Sequence, residues 1–246
     1  MRPASSDAPQ SAHLTRIRFV ERTGSTNSDL LAEPRAPEGE WLVAARQDQG
    51  RGRQNRQWEN GSGNFHGSTL VHLRPADPPA GTLALAAGVA LIRAVEAAAP
   101  ATGLMLKWPN DLLLGSAKLA GILLERQEDK VVAGFGVNLG SAPEAEGREV
   151  AALSSVALVS PEAFAPVLAA SFARELTRWR EDPLGLTALW LESAHPVGTL
   201  LSVHVAAADK LDGTFAGLAQ DGALRLTLPS GEERRIHAAD VMLGST

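Results

Sequence analysis

Residues 106–124 read LKWPNDLLLGSAKLAGILL, and apolar runs typical of β-strands flank the turn-forming Pro-Asn-Asp within them. The runs predict strands over 104–108 and 119–126, and a third strand over 131–139 follows a second polar turn at 128–130. This part of the chain therefore predicts adjoining strands of a sheet. Two lysines, an asparagine and an aspartate lie around the first turn.

The chain on the N-terminal side predicts further strands and a short helix. Residues 14–21 alternate as a strand does, and Ser-Thr-Asn at 25–27 is a good N-cap cluster for a helix that follows. Strands are also predicted over 41–45 and 70–73. The polar stretch 47–63 between them is long for a loop inside a compact domain, which indicates either a functional loop or a disordered insertion.

Three longer helices are predicted. Thr82 caps the first, over 83–99, where charged residues within the alanine-rich run favour a buried amphipathic helix over a membrane span. Ser-Pro-Glu at 160–162 combines an N-cap, a first-position proline and an N-terminal acid, so a helix begins there, and Pro166 predicts a delayed start or a kink. The last helix covers 184–193.

The sequence pattern changes after Pro196. Four β-like runs follow, at 200–205, 214–218, 223–228 and 234–237, and hairpin sequences Asp-Gly, Asp-Gly and Ser-Gly lie at 212–213, 221–222 and 230–231. This pattern predicts a small β-barrel of the SH3-like kind. The expected organisation is a flexible tail at 1–13, a larger domain at 14–195 and the small domain at 196–246.

The amino-acid composition argues against several classes of function. The 246 residues are 44% hydrophobic and 21% charged, with no cysteine and a formal net charge of −5. A chain without cysteine has no disulfide framework, thiolate metal site or cysteine nucleophile, and it fits a reducing compartment. The acidic balance argues against a general nucleic-acid coat or a membrane-surface binder. Walker A, GxGxxG, GxSxG and HExxH motifs are absent, and the six histidines are scattered.

One segment reverses the acidic balance. Residues 50–58 read GRGRQNRQW, and the four arginines and one aspartate within 46–58 give +3, so the remaining chain carries −8. Glycine and asparagine can adopt left-handed backbone conformations, which would turn N–H groups and guanidinium groups onto one anion. A polyphosphate site is one interpretation. A solvated loop or an RNA-binding arginine-glycine segment is the other.

The residues around the Pro-Asn-Asp turn are a second candidate site. Lys107, Asn110, Asp111 and Lys118 could converge on a nucleotide and a carboxylate, with Asp111 able to hold Mg²⁺. The alternative is ordinary turn sequence, although the two lysines are half of the four in the chain. Asn138, in GFGVNL, could contact a nucleobase edge or a ribose.

The order Ser-Thr-Asn, Gln47 ahead of GRGR, KWPND, KLAGIL and GFGVN resembles the biotin–protein ligase family. The motifs cover about residues 19–139, and the remaining chain agrees by layout. The resemblance implies an α+β fold: a catalytic domain related to the class II aminoacyl-tRNA synthetases, with a mixed sheet and flanking helices, followed by an SH3-like C-terminal barrel.

The resemblance also implies a role for each matching residue. The residues that would bind biotin are Ser25, Thr26, Asn27, Gln47, Arg51, Gly52, Arg53 and Lys118. The residues that would bind ATP are Arg53, Arg56, Trp58, Lys107, Asn110, Asp111 and Asn138. The residues that would act in catalysis are Lys118, Arg51, Arg53 and Lys107, and Asp111 would hold Mg²⁺.

Two positions depart from the family pattern. The family loop usually has glycine where this chain has Asn55, and asparagine is the best non-glycine residue for a left-handed position, so we expect the loop shape to persist. The family usually has tyrosine where this chain has His66, which changes one aromatic wall of the pocket.

The activity that the resemblance implies is ATP-dependent transfer of biotin to a lysine of a biotin carboxyl carrier protein, in the cytoplasm and without DNA or membrane partners. It leaves monomer and homodimer open. A lipoate or octanoyl ligase on the same fold is the nearest alternative, although those relatives lack the GRGR and KWPND pair. A DNA-binding repressor and a non-catalytic ligand-binding scaffold are the alternatives from other classes. Only about thirteen residues precede the first predicted strand, which are too few for a helix-turn-helix module.

Overall fold

A mixed seven-stranded sheet forms the centre of the larger part of the protein. The computed structural model describes residues 16–100, 103–143, 149–206 and 209–243. Its strands are β1 (Ile17–Thr23), β2 (Trp41–Gln47), β3 (Phe65–His72), β4 (Leu104–Lys107), β5 (Asp111–Leu114), β6 (Ala117–Gln127) and β7 (Lys130–Val137). The helices are α1 (Thr26–Ala32), α2 (Leu83–Ala98), α3 (Pro161–Glu181) and α4 (Pro183–Glu192).

The strand order in this sheet is β1-β2-β3-β7-β6-β5-β4. The pair β1 and β2 is parallel, because α1 lies in the connection between them, and every other neighbouring pair is antiparallel. In the β6–β7 pair Gly121 lies opposite Gly136, and in the β3–β7 pair His66 lies opposite the same glycine. This centre of the sheet therefore presents two side-chain-free positions next to each other.

The two faces of the sheet differ. Helices α2 and α3 cover one face, where the Trp41 ring stacks on Phe135 at 5.5 Å and meets Phe172 edge-on at 6.0 Å. Of the four helices that the structure describes, the short helix α1 lies on the opposite face, over a small apolar cluster that includes Leu30 and Leu70. Much of the second face is left for polar residues, and the candidate site lies there.

The helices begin close to their predicted positions. The Ser160 hydroxyl accepts from the Ala163 N–H at 3.2 Å, and α3 begins at Pro161 and runs through Pro166, so the predicted delay does not occur. Thr82 precedes α2 without a side-chain cap; its hydroxyl accepts from the Trp179 indole at 2.8 Å instead. The stretch 80–98 is long and apolar enough to cross a membrane, but α2 is mostly buried in the core.

The C-terminal part is a separate antiparallel sheet of five strands. They are β8 (Leu200–Ala206), β9 (Asp209–Leu218), β10 (Leu224–Thr227), β11 (Glu233–Ile236) and β12 (Asp240–Leu243), in the order β11-β10-β9-β8-β12. Gly222 and Gly231 have positive φ of 80° and 86°, as their predicted turns require.

The sequence-based prediction of elements was wrong at four places, one of which is β3: it begins at Phe65, five residues before the predicted strand 70–73. The prediction also missed β5, which is short and follows the turn at once, and β12 at the end of the C-terminal sheet. The Asp-Gly pair at 212–213 lies inside β9 rather than in a hairpin turn. The predicted tail at 1–13 lies outside the described residues.

The two sheets meet through a few specific contacts. The Trp108 indole donates to the Gly222 carbonyl at 3.0 Å. The buried His195, after α4, meets the Phe215 ring edge-on at 4.4 Å, and neither of its ring nitrogens has a hydrogen-bond partner. Burial and the positive charge of Lys107 lower the pKa of His195 to about 4. The imidazole at this junction is therefore neutral at pH 7.

Candidate active site

A cavity of about 1210 Å³ lies on the α1 face of the large sheet. All but one of the residues predicted from the sequence line it: Ser25, Thr26, Asn27, Gln47, Arg51, Gly52, Arg53, Arg56, Trp58, Lys107, Asn110, Asp111 and Lys118. The cavity is also lined by residues of the C-terminal sheet, which are His204, Asp240, Val241, Met242 and Leu243. The volume is sufficient for two small ligands side by side.

One end of the cavity is polar and largely buried. Ser25 caps α1, its hydroxyl 3.5 Å from the Ser28 N–H. The Gln47 side-chain oxygen accepts from the Thr26 N–H at 2.8 Å and from the Thr26 hydroxyl at 3.0 Å. The same hydroxyl lies 2.6 Å from that of Ser68 on β3. These groups form a fixed set of donors and acceptors that suits a small uncharged polar ring.

Asn27 lines this end of the cavity, but the oxygen and the nitrogen of its side-chain amide are already hydrogen-bonded to other protein groups. Its carbonyl oxygen accepts from the Ser68 hydroxyl at 2.6 Å, and its amide nitrogen donates to the Glu125 carboxylate at 2.8 Å and to the Leu123 carbonyl at 3.3 Å. The structure therefore indicates that Asn27 holds Ser68 and Glu125 in place. Ser68 and Glu125 were missed from the sequence, although a serine inside the buried strand β3 is a detectable signal.

The arginine loop, residues 50–58, folds as a tight hairpin over the cavity. The Trp58 N–H donates to the Gly50 carbonyl at 3.0 Å, and the Gly52 N–H donates to the Arg56 carbonyl at 2.7 Å. Gln54 is the residue with positive φ, 56°, which corrects the expectation that the left-handed residue is Asn55. The hairpin fixes the directions in which its arginines leave the backbone.

Two arginines of this loop contact the C-terminal sheet. Arg53 donates to the Ala239 carbonyl at 3.1 Å, and Arg56 forms an ion pair with Asp240. Burial lowers the pKa of the Arg53 guanidinium, while the carboxylates of Asp240 and Asp111 oppose that shift. The arginine loop thus lies between the two sheets, with its positive charge facing the cavity.

A lysine–aspartate–lysine cluster forms the wall under the arginine loop. The Lys118 ammonium is hydrogen-bonded to one oxygen of Asp111, and the Lys107 ammonium lies 3.6 Å from the other. Asn110 beside them holds the turn together, since its side-chain amide donates to the Ile122 carbonyl at 2.6 Å. The cluster carries one net positive charge and suits phosphate or carboxylate groups.

The donor set does not fit a resident metal at Asp111. Both of its oxygens face ammonium groups. Within the part of the chain that the structure describes, no group of three His, Cys, Asp or Glu side chains could hold a metal ion. The prediction of a protein-bound Mg²⁺ site at Asp111 is not supported by this arrangement.

The Trp58 indole lies on the pair of glycines at the centre of the sheet. A Cβ atom at Gly136 would be 2.4 Å from the indole, and one at Gly121 would be 3.1 Å from it. The Lys118 ammonium is 5.6 Å from the ring centroid, a cation–π contact. A flat, side-chain-free floor with an aromatic ring on it can accept another planar ring.

Asn138 is the predicted site residue that the large cavity does not include. Its side chain is buried, accepts from the Asn64 amide at 3.2 Å and donates to the Ala151 carbonyl at 3.1 Å. It borders only a small neighbouring cavity behind Trp58. The structure does not bring Asn138 into the large cavity with the other residues.

His66 is buried on β3, opposite Gly136. Neither ring nitrogen has a hydrogen-bond partner, and burial lowers the pKa of the imidazole against a smaller opposing effect of the Ala44 backbone. His66 is therefore neutral at pH 7, and it is not among the residues that line the large cavity.

Comparison with known proteins agrees with this geometry. Residues 17–141 match the Biotin/lipoate A/B protein ligase family. A biotin–[acetyl-CoA-carboxylase] ligase from Paracoccus denitrificans is 36% identical over 92% of this chain and 100% of its own length. The ligase of the same name from Mycobacterium tuberculosis is 32% identical over 92% of this chain and 88% of its own length.

Among solved structures, the biotin protein ligase of Aquifex aeolicus in complex with biotin and ATP superposes with a TM-score of 0.82. It is 21% identical, and the match covers 95% of this chain and 100% of that one, so this likeness supports the fold. The family match and the two relatives confirm the resemblance noted in the sequence. The chain belongs to the biotin/lipoate A/B protein ligase family, and within it to the biotin–protein ligases.

Proposed function

We propose that this protein uses ATP to attach biotin to a specific lysine of a biotin carboxyl carrier protein, through biotinyl-5′-AMP. The observation that carries the proposal is the joining, in one cavity, of a buried polar end around Thr26 and Gln47 with a cationic wall formed by Lys107, Lys118 and Arg53. The first suits an uncharged polar ring such as the ureido group of biotin. The second suits a carboxylate and a triphosphate.

In the first step, a biotin carboxylate oxygen attacks the α-phosphorus of ATP, and the bond from that phosphorus to the bridging oxygen of pyrophosphate breaks. The products are biotinyl-5′-AMP and pyrophosphate. Biotin supplies the nucleophile, so the protein has to position two anions and neutralise their charge. We assign this work to Lys118 and Lys107 on the sheet and to Arg51 and Arg53 on the arginine loop.

In the second step, the amine of the carrier lysine attacks the carbonyl carbon of the mixed anhydride. An amide bond forms, AMP leaves and the amine loses a proton. The arginine loop would cover the anhydride and exclude water during the interval between the two steps. The Trp58 indole on its glycine floor is our candidate for stacking with adenine.

ATP enters this proposal as its magnesium complex, with the ion bound by the phosphates. We route no step through a protein-bound metal, because the Asp111 carboxylate is already neutralised by two lysines. Mg²⁺ usually retains waters and phosphate oxygens as ligands, so a dedicated protein site is not required.

We infer a catalytic domain over 14–195 related to the class II aminoacyl-tRNA synthetases and an SH3-like barrel over 196–246. A carrier subunit of acetyl-CoA carboxylase or a related carboxylase is the proposed acceptor, in the cytoplasm.

The test is incubation of the protein with ATP, Mg²⁺, biotin and a carrier domain, followed by intact mass measurement of the carrier. The expected result is a mass increase of one biotinyl group that requires both ATP and biotin. Replacement of biotin by lipoate is the control for the nearest alternative. An unmodified carrier, or a preference for lipoate, would contradict the proposal.

A further inference from the structure

Glu125 on β6 lies outside the cavity lining but contacts two of the residues that line it. One of its oxygens accepts from the Arg51 side chain, at 3.0 Å from Nε and 2.8 Å from Nη2. The other accepts from the Asn27 amide at 2.8 Å. The Arg51 guanidinium also donates to the Ser28 hydroxyl on α1 at 2.9 Å. Glu125 therefore connects the base of the arginine loop to α1.

This carboxylate ends a continuous chain of hydrogen bonds. Gln47 on β2 accepts from the Thr26 N–H on α1, the Thr26 hydroxyl donates to Ser68 on β3, Ser68 donates to Asn27, and Asn27 donates to Glu125. Its members come from three strands of the sheet and one helix. Glu125 supplies the only formal charge among them, and hydrogen bonds to an ionised acceptor are stronger than those between neutral groups.

We propose that Glu125 is a positioning residue for the adenylation reaction: it fixes the direction of Arg51 and, through Asn27, the polar end of the cavity. The inference rests on the proposed function. Glu125 is absent from the cavity lining, so the role proposed for it is exerted through Arg51 and Asn27. It acts by keeping the arginine loop and α1 in one arrangement before any ligand arrives.

The expected kinetic signature follows from this role. Without the carboxylate, the Arg51 guanidinium and the Asn27 amide lose a shared acceptor, and the arginine loop samples more arrangements. Biotin then has to order the loop as it binds, which weakens binding. Once biotin is bound, the reacting groups have their usual geometry. The effect therefore falls on the KM for biotin more than on kcat.

Loss of charge-assisted hydrogen bonds of this kind predicts a rise of about tenfold in the KM for biotin for Glu125→Ala, with kcat changed by less than about threefold. Glu125→Gln keeps an oxygen that can accept from Arg51, so we expect it to be intermediate. Glu233→Ala is the matched control, because Glu233 accepts from Arg225 in a two-point pair of the same chemistry on the C-terminal sheet, at 2.9 and 2.6 Å.

The experiment has two readouts on the full chain. The first is biotin-dependent pyrophosphate release from ATP, which gives KM and kcat. The second is amide hydrogen exchange of residues 50–58 in the ligand-free protein, which does not depend on the reaction. The proposal expects faster exchange in the arginine loop for Glu125→Ala and Glu125→Gln, and exchange equal to the unmodified protein for Glu233→Ala.

Unchanged exchange of the arginine loop in both Glu125 variants would overturn the inference, as would a fall in kcat with an unchanged KM for biotin. If Glu125→Ala does not fold, Glu125→Gln decides by the same criteria. If the unmodified protein shows no biotin-dependent pyrophosphate release, the proposed function fails, and the exchange comparison still shows whether Glu125 orders the arginine loop.

Discussion

The absence of a side chain at Gly136 lets the Trp58 indole lie flat on the sheet. Neighbouring Gly134 has the same relation to Asn27, whose oxygen would be 2.2 Å from a Cβ atom there. Both glycines are on β7, on the face that the site occupies. The site therefore depends on the missing side chains of two glycines as well as on its charged groups.

Substitution of Gly136 by alanine tests this dependence. The new methyl group would be 2.4 Å from the Trp58 ring, so the indole must leave its place, and we expect at least a tenfold loss of ATP affinity. Gly81→Ala is the control, because nothing lies within 4 Å of a Cβ atom at that position. ATP affinity is measured by calorimetry and folding by circular dichroism. Unchanged affinity in Gly136→Ala would show that the glycine floor is not part of the ligand site.

The second prediction for a single residue concerns Lys118. Its ammonium lies next to Asp111 and 5.6 Å from the Trp58 ring, where the carboxylate and α-phosphate of the reactants are proposed to meet. We expect Lys118→Ala to slow pyrophosphate release on the order of 10²- to 10³-fold, as removal of a group that stabilises developing charge does.

The control for this prediction is Lys210→Ala, which removes a half-exposed lysine paired with Asp212 on the C-terminal sheet. A fall in rate for both variants, or for neither, would contradict the role assigned to Lys118.

The sequence predicts which residues gather at the site better than it predicts what each one does. The resemblance to a known family named thirteen residues that line the cavity, which the spacing of the motifs alone did not show. The sequence did not show that Asn27 and Asn138 bond to Ser68, Glu125, Asn64 and Ala151. An amide suits a ligand and a distant protein group equally well, and only tertiary structure determines which one it meets.

Helices and strands were predicted correctly where a strong local signal marks the end of the element. Ser160 and Pro161 start α3 at the predicted residue, and apolar strands long enough to show a pattern, such as β6 and β7, were found. Strands β5 and β12 were missed, and their length does not explain it, because β4, β10 and β11 also have four residues and were predicted. The Asp-Gly pair inside β9 satisfies a turn pattern, but pairing with Ser202 and Leu201 of β8 keeps it extended.

The cap of α3 gives a prediction at this scale. The Ser160 hydroxyl accepts from the Ala163 N–H at 3.2 Å, so Ser160→Ala is expected to lower the free energy of unfolding by about 1 kcal/mol. Thr177→Ala on the same helix is the control. The Thr177 hydroxyl only donates back to the Ala173 carbonyl at 3.2 Å, and alanine there should be neutral or slightly stabilising. Urea unfolding measures both, and equal stability of Ser160→Ala and the unmodified protein would exclude a contribution from the cap.

At the scale of the whole molecule, the cavity belongs to both sheets. The large sheet supplies the floor and the lysines, and the C-terminal sheet supplies Asp240 and its neighbours along one wall. The arginine loop bridges them through Arg53 and Arg56. The sequence placed the positive charge correctly in this loop, but it did not predict which part of the chain would lie opposite.

The junction between the sheets predicts a dependence of stability on pH. Burial and Lys107 lower the pKa of His195 from 6.5 to about 4, so the unfolded chain binds this proton more tightly than the folded one. The contribution of His195 is therefore fully present above pH 6.5 and is lost as the pH falls towards 4. Between pH 7 and pH 4.5 we expect a loss of about 2 kcal/mol from this group.

Urea unfolding at both pH values, on the unmodified protein and on His195→Phe, measures this contribution. The variant should lose less stability on acidification, because phenylalanine can fill the site beside Phe215 without taking up a proton. His237→Asn is the control, since His237 is largely exposed. An identical pH dependence in His195→Phe and the unmodified protein would contradict the prediction.

The position of Trp58 has an optical consequence. Trp41, Trp108, Trp179 and Trp190 are each at most 3% exposed, whereas Trp58 is only partly buried in the arginine loop. A soluble quencher such as acrylamide should therefore quench Trp58 before the other four tryptophans, and Trp58 lies at the cavity. The fraction of fluorescence open to quenching, measured without and with biotin and ATP, will then show whether the arginine loop shields Trp58 in the ligand-bound protein.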